Sequence, residues 1–129
     1  MKYALGLVEA IGLATAVEAA DAMVKAANVR FLGIEPTKGD GMQVIKVFGD
    51  VGAVQAACSA GAMACDRGRG VFSVKVIARP ADGLGPILYN NQTKGFDPKD
   101  CQYYGSDCYW KFCKYDQKKP TTAEKIFVD

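Results

Sequence analysis

The apolar residues between positions 2 and 80 change their spacing in a set order, and that order limits the folds open to the chain. Lys2–Glu9 is a short run of small and branched residues, a strand pattern. Leu13, Ala16, Val17, Ala20, Val24 and Ala27 recur three and four apart, which predicts an amphipathic helix. Glu18, Asp21 and Lys25 fall on its other side, with Asp21 and Lys25 spaced as a surface ion pair. Val29–Glu35 reads as a second strand, stopped by Pro36, which has no amide to continue a ladder. Gly39-Asp40-Gly41 is a turn into a third strand, Met42–Phe48. Asp50 stands where a helix N-cap belongs, ahead of the alanine-rich Val51–Asp66. Gly68 and Gly70 end that helix, and Val71–Ala78 is the fourth strand.

The resulting order, βαββαβ, is that of a split-βαβ, ferredoxin-like α+β fold. An internal echo supports it: Ala16-Val17-Glu18-Ala19-Ala20 in the first helix resembles Ala53-Val54-Gln55-Ala56-Ala57 in the second. Both helices are built of small side chains, which permit close approach to a sheet but bury little apolar area. At about 25 cal/mol per Å² of buried area, such a unit gains modest stability alone. Association with further copies would bury more.

Composition changes near residue 80, where Pro80, Gly83, Gly85 and Pro86 mark a boundary. The 129-residue chain divides into a domain, 1–80, and an extension, 81–129, holding three of the five cysteines and nine of the thirteen aromatics. A formal charge of +2, with seven Lys against six acidic residues over 91–129, argues against a nucleic-acid partner. No apolar run reaches the roughly 20 residues of a membrane span. The start, Met1-Lys2-Tyr3, lacks signal-peptide character, and five cysteines, an odd number, point to a reducing cytosol with free thiols or a metal site. With no histidine, the chain cannot build a His-dependent triad, and no other acid–base constellation stands out; no enzymatic activity is expected.

Leu5-Gly6-Leu7-Val8-Glu9, Gly12-Leu13 and the string Val17 to Val29 (VEAADAMVKAANV) resemble the opening of a bacterial microcompartment shell protein. Gly49-Asp50-Val51-Gly52-Ala53-Val54, Ala60-Gly61-Ala62 and Val76-Ile77-Ala78-Arg79-Pro80 resemble its later elements. The resemblance implies a BMC domain, an antiparallel four-stranded sheet with helices on one face. It further implies a cyclic homohexamer that tiles with other shell proteins into the facets of a cytoplasmic polyhedral shell around metabolic enzymes. Lys25 and Arg79 match residues that meet across the edge between hexamers. Ala81 stands where a histidine often follows the Arg-Pro. Lys38, Gly39, Asp40 and Gly41 fall where the family lines its central pore. Here the loop reads Gly-Asp-Gly in place of Gly-Ser-Gly, with Pro36 and one inserted residue ahead of it. Six copies of Asp40 would form a carboxylate ring that draws cations, with Lys38 nearby to offset it.

Cys101, Cys108 and Cys113 are separated by six and four intervening residues (C-x6-C-x4-C), among Tyr103, Tyr104, Tyr109, Trp110, Phe112 and Tyr115. Two roles stand for these thiols. They are packing groups that dock the extension, on the hexamer or on a cargo enzyme, with no cofactor. Alternatively they hold zinc or an iron–sulfur cluster, completed by a ligand from elsewhere, in a metal-binding shell subunit. Cys58 and Cys65, two turns apart, read as small buried residues of the second helix. A ferredoxin-like ligand-binding regulator is the reading from another functional class.

Overall fold

The structure, a computed structural model, describes residues 3–81, 84–88 and 92–95. The elements run β1 (Ala4–Ile11), α1 (Leu13–Ala26), β2 (Arg30–Pro36), β3 (Met42–Gly49), α2 (Val51–Cys65), β4 (Val71–Ile77) and a short α3 (Gly85–Leu88). All pairings are antiparallel and the sheet order is β2-β3-β1-β4, as a split βαβ requires. Predicted and observed boundaries agree to within about two residues, the usual fraying of element ends. Pro36 closes β2 opposite Gln43 rather than lying beyond it. Asp50 occupies the N-cap position of α2, but its side chain makes no capping bond. At the other end, the amides of Gly68 and Gly70 both donate to the Cys65 carbonyl and stop the helix.

Both helices pack on one face of the sheet. Strand alternation sends Val8, Ala10, Ile45 and Val47 toward them, to meet Ala16, Ala19, Met23, Val54, Ala57, Cys58 and Cys65. Gly6 sits under α2 so closely that an added Cβ would lie 2.6 Å from Cys58 Sγ and 2.7 Å from Val54 Cγ1. Gly61 likewise makes room for Met23. The small residues therefore bring helix against strand, and the larger Met23 fills the gap between α1 and α2.

The buried stripe of α1 differs from the periodic reading. Thr15, Ala16, Ala19 and Met23 are buried, whereas Leu13, Val17 and Val24 are exposed. Apolar residues lie nearly all round this helix, so spacing alone does not select the inward face. The internal echo, which fits the two βαβ halves, does not extend to burial: Ala16 and Ala19 are buried where Ala53 and Ala56 are not, and Val54 is buried where Val17 is exposed. The two helices share letters but turn different faces inward. On the opposite edge β4 leaves Phe72 and Val74 exposed, so the single chain carries apolar surface on α1 and β4 together.

Candidate pore loop and assembly edges

Strand direction sorts the candidate residues onto two ends of the slab. β1 and β2 run one way and β3 and β4 the other. The turns β1–α1, β2–β3 and α2–β4 consequently gather at one end. There the Gly12 amide donates to the Gly41 carbonyl at 3.0 Å, and the Ile11 amide to the Gly70 carbonyl at 3.0 Å. Arg69 joins them: its amide donates to Thr15 Oγ1 at 3.1 Å and its guanidinium reaches the Asp40 carbonyl at 3.5 Å.

Within the hairpin, the Thr37 amide donates to the Met42 carbonyl at 3.0 Å and the Met42 amide to the Gly39 carbonyl at 2.8 Å. Lys38 (φ 61), Asp40 (φ 52) and Gly41 (φ 71) are left-handed, and an aspartate tolerates that region better than most residues. The loop therefore forms from its own turn chemistry, and the Gly12–Gly41 bond fixes its angle to the sheet. Lys38, Gly39, Asp40 and Gly41 are all exposed, so their charges face solvent in the single chain. Arg69 adds a cation at this end that sequence reading missed; no spacing in the 66–70 loop signals it, and only the meeting of the three turns does.

Lys25 and Arg79 lie at the other end. Lys25 is in the last turn of α1, beside the start of β2, and Arg79 follows the end of β4. Eight strand residues at about 3.3 Å each put roughly 26 Å between the two ends. Lys25 Nζ pairs with Asp21 Oδ2 at 2.7 Å, the expected surface pair, with 73% of the lysine side chain exposed. Such exposed pairs contribute about 0.3–0.5 kcal/mol, so the lysine remains available for a further contact. Arg79 is exposed as well.

Cys58 and Cys65 are buried, with free thiols. Burial pushes the Cys58 thiol above its ordinary range, against a hydrogen bond with the Leu7 backbone. Cys65 is raised by burial and by the nearby carboxylates of Asp66 and Glu18. These are inert core groups. Cys101, Cys108 and Cys113 lie outside the described residues.

A BMC domain model matches residues 4–80, from the start of β1 to the Arg-Pro after β4. The chain belongs to the BMC domain family. A carboxysome shell protein, CsoS1 of Prochlorococcus marinus, is 48% identical over 96 residues, covering 74% of this chain and 92% of the relative. The bacterial microcompartment shell protein PduK of Citrobacter freundii is 50% identical over 84 residues, covering 65% of this chain and 54% of the relative. The chain thus spans about half the length of PduK. A crystal structure of a microcompartment protein from Desulfitobacterium hafniense superposes with a TM-score of 0.57 at 32% identity, over 65% of this chain and 45% of that one. These BMC relatives are named as shell or microcompartment proteins, and the BMC domain ends before the cysteine-rich segment begins.

Proposed function

We propose that the chain is a structural, non-enzymatic subunit of a bacterial microcompartment shell in the cytoplasm, a homohexameric tile with loop 37–41 at its central pore. The separation of the candidate pore loop from Lys25 and Arg79, at opposite ends of one BMC domain, carries this reading. A flat ring needs its pore group at the inner end of each wedge and its edge groups at the outer end. The exposed apolar residues of α1 and β4 supply surface for the contact between neighbouring wedges. Lys25 then lays its aliphatic stem against an adjoining hexamer while its ammonium stays hydrated. Arg79 donates to carbonyls across the same seam. Gly39 and Gly41 let six loops approach an axis lined by Asp40 and Lys38.

The extension 81–129 is read as a docking segment whose thiols pack without metal, because three cysteines leave tetrahedral zinc one ligand short. Metal analysis and visible absorbance of anaerobically prepared protein test that choice against the cluster reading. Size exclusion and electron microscopy test the tile. The full chain should elute as a hexamer and form hexagonal sheets. Lys25→Ala should keep the hexamer while sheets weaken or vanish. A monomer on size exclusion refutes the proposal, and sheets unchanged in the variant refute the edge role of Lys25.

A further inference from the structure

Lys46 lies in the middle of β3 with 4% of its side chain exposed, between Ile45 and Val47, which face the helices. Its side chain therefore points to the non-helical face of the sheet. An ammonium group has three protons, and three acceptors surround this one. Glu35 Oε1 of β2 is at 2.6 Å, the Leu88 carbonyl of α3 accepts a second bond, and Thr93 Oγ1 is at 3.4 Å. The Thr93 hydroxyl, itself fully buried, donates to Glu35 Oε1 at 3.1 Å. Burial draws the lysine below its ordinary range, while Glu35 acts to hold its charge.

Two of the three acceptors come from residues beyond the BMC domain. β4 and β2 are the opposite edges of the sheet, three strand spacings or about 14 Å apart. The chain leaves the domain at β4, yet Lys94 pairs with Ile34 of β2, amide to carbonyl in both directions, at 2.9 and 2.8 Å. Gly33 permits this approach: a Cβ there would lie 2.6 Å from the Lys94 carbonyl oxygen and 2.7 Å from Thr93 Cγ2. Its φ of 138 also lies where other residues are strained.

We propose that Lys46 is a latch. It holds residues 84–88 and 92–95 as a strap over the non-helical face and sets the place where residues 96–129 attach, at the β2 edge rather than the β4 edge. A buried lysine is expensive to desolvate, and an apolar residue would hold the sheet at least as well. What the lysine adds is direction: its ammonium is satisfied only when Leu88 and Thr93 occupy these positions. Among the described residues the strap has only short elements, a four-residue helix and the Lys94–Ile34 bridge, so it opens more readily than the sheet beneath it.

Amide hydrogen exchange on the full chain tests the latch, comparing wild type, Lys46→Met and Thr93→Val. Thr93→Val weakens the node from the strap side and leaves the sheet sequence intact. Both variants should speed exchange at the paired amides of Ile34 and Lys94 by about 10- to 100-fold, the scale of losing one charge-assisted bond. Amides in the β1–β3 ladder should keep their wild-type rates. Cleavage by trypsin after Lys94 should then be faster than in wild type. Unchanged exchange at Ile34 and Lys94 in both variants overturns the latch. So does equal acceleration across β1–β3, which would make the node a general support of the sheet.

Discussion

Gly6→Ala tests how closely α2 is held to the centre of the sheet. The new Cβ would lie 2.6 Å from Cys58 Sγ, 2.7 Å from Val54 Cγ1 and 3.0 Å from Val47 Cγ2. Carbon contacts settle at about 3.5–4.0 Å, so the neighbours must withdraw by roughly 1 Å. None can do so freely. β1 is paired on both sides, by β3 and by β4, and Val54 is β-branched in a helix, where one rotamer dominates. Overpacking of this kind costs about 1–3 kcal/mol. Restricting the unfolded chain returns about 0.4–1 kcal/mol of that. The expected loss is therefore about 1–2 kcal/mol, or a fall in Tm of roughly 4–8 °C per kcal/mol for a domain this size. Thermal unfolding at fixed protein concentration measures it, since assembly makes Tm concentration-dependent. Val54→Ala should rescue in part: with the γ-carbons gone, the double variant should be more stable than the sum of the singles by about 0.5–2 kcal/mol. Full additivity, or a Gly6→Ala variant as stable as wild type, would show that helix and strand are not held at this distance.

Two further outcomes are expected. Asp40→Asn removes the loop carboxylate and keeps a residue suited to φ 52, so the proposed hexameric pore, studied in a planar bilayer, should shift its selectivity toward anions relative to wild type; an unchanged reversal potential in a salt gradient counts against Asp40 at the pore. Cys58 and Cys65 hold their protons in the folded state to a pH above the ordinary 9.0, so folded stability should fall as pH rises through that higher range. Lys46, whose folded affinity for protons is lowered, contributes the opposite slope below 10.5, so the thiol effect is read as the difference in alkaline unfolding between wild type and Cys58→Ala/Cys65→Ala. Iodoacetamide labelling of these two thiols in folded wild type at pH 9 contradicts the assignment.

Periodicity along residues 2–80 determined the elements by itself, because strand and helix spacings differ and Pro36, Gly39, Gly41, Gly68 and Gly70 separate them. The string around Lys25 and the Arg79-Pro80 end were enough to suggest the family, and the match over 4–80 shows it. Burial of α1 was not legible: a helix with apolar residues on nearly every side, Leu13 and Val17 among them, has several faces of similar hydrophobicity. Only contact with Gly61 and the neighbouring strands selects Met23 for the interior. The convergence of Gly12, Asp40 and Arg69 was equally hidden, since residues far apart in sequence meet only where strand direction gathers their turns. Lys46 shows the limit most clearly. Alternation in β3 places it in phase with Val44 and Phe48, and a lysine on such a face reads as solvated. It is buried because Leu88 and Thr93, more than forty residues later, return across the sheet to meet it, and that path is decided by three-dimensional contact rather than local pattern.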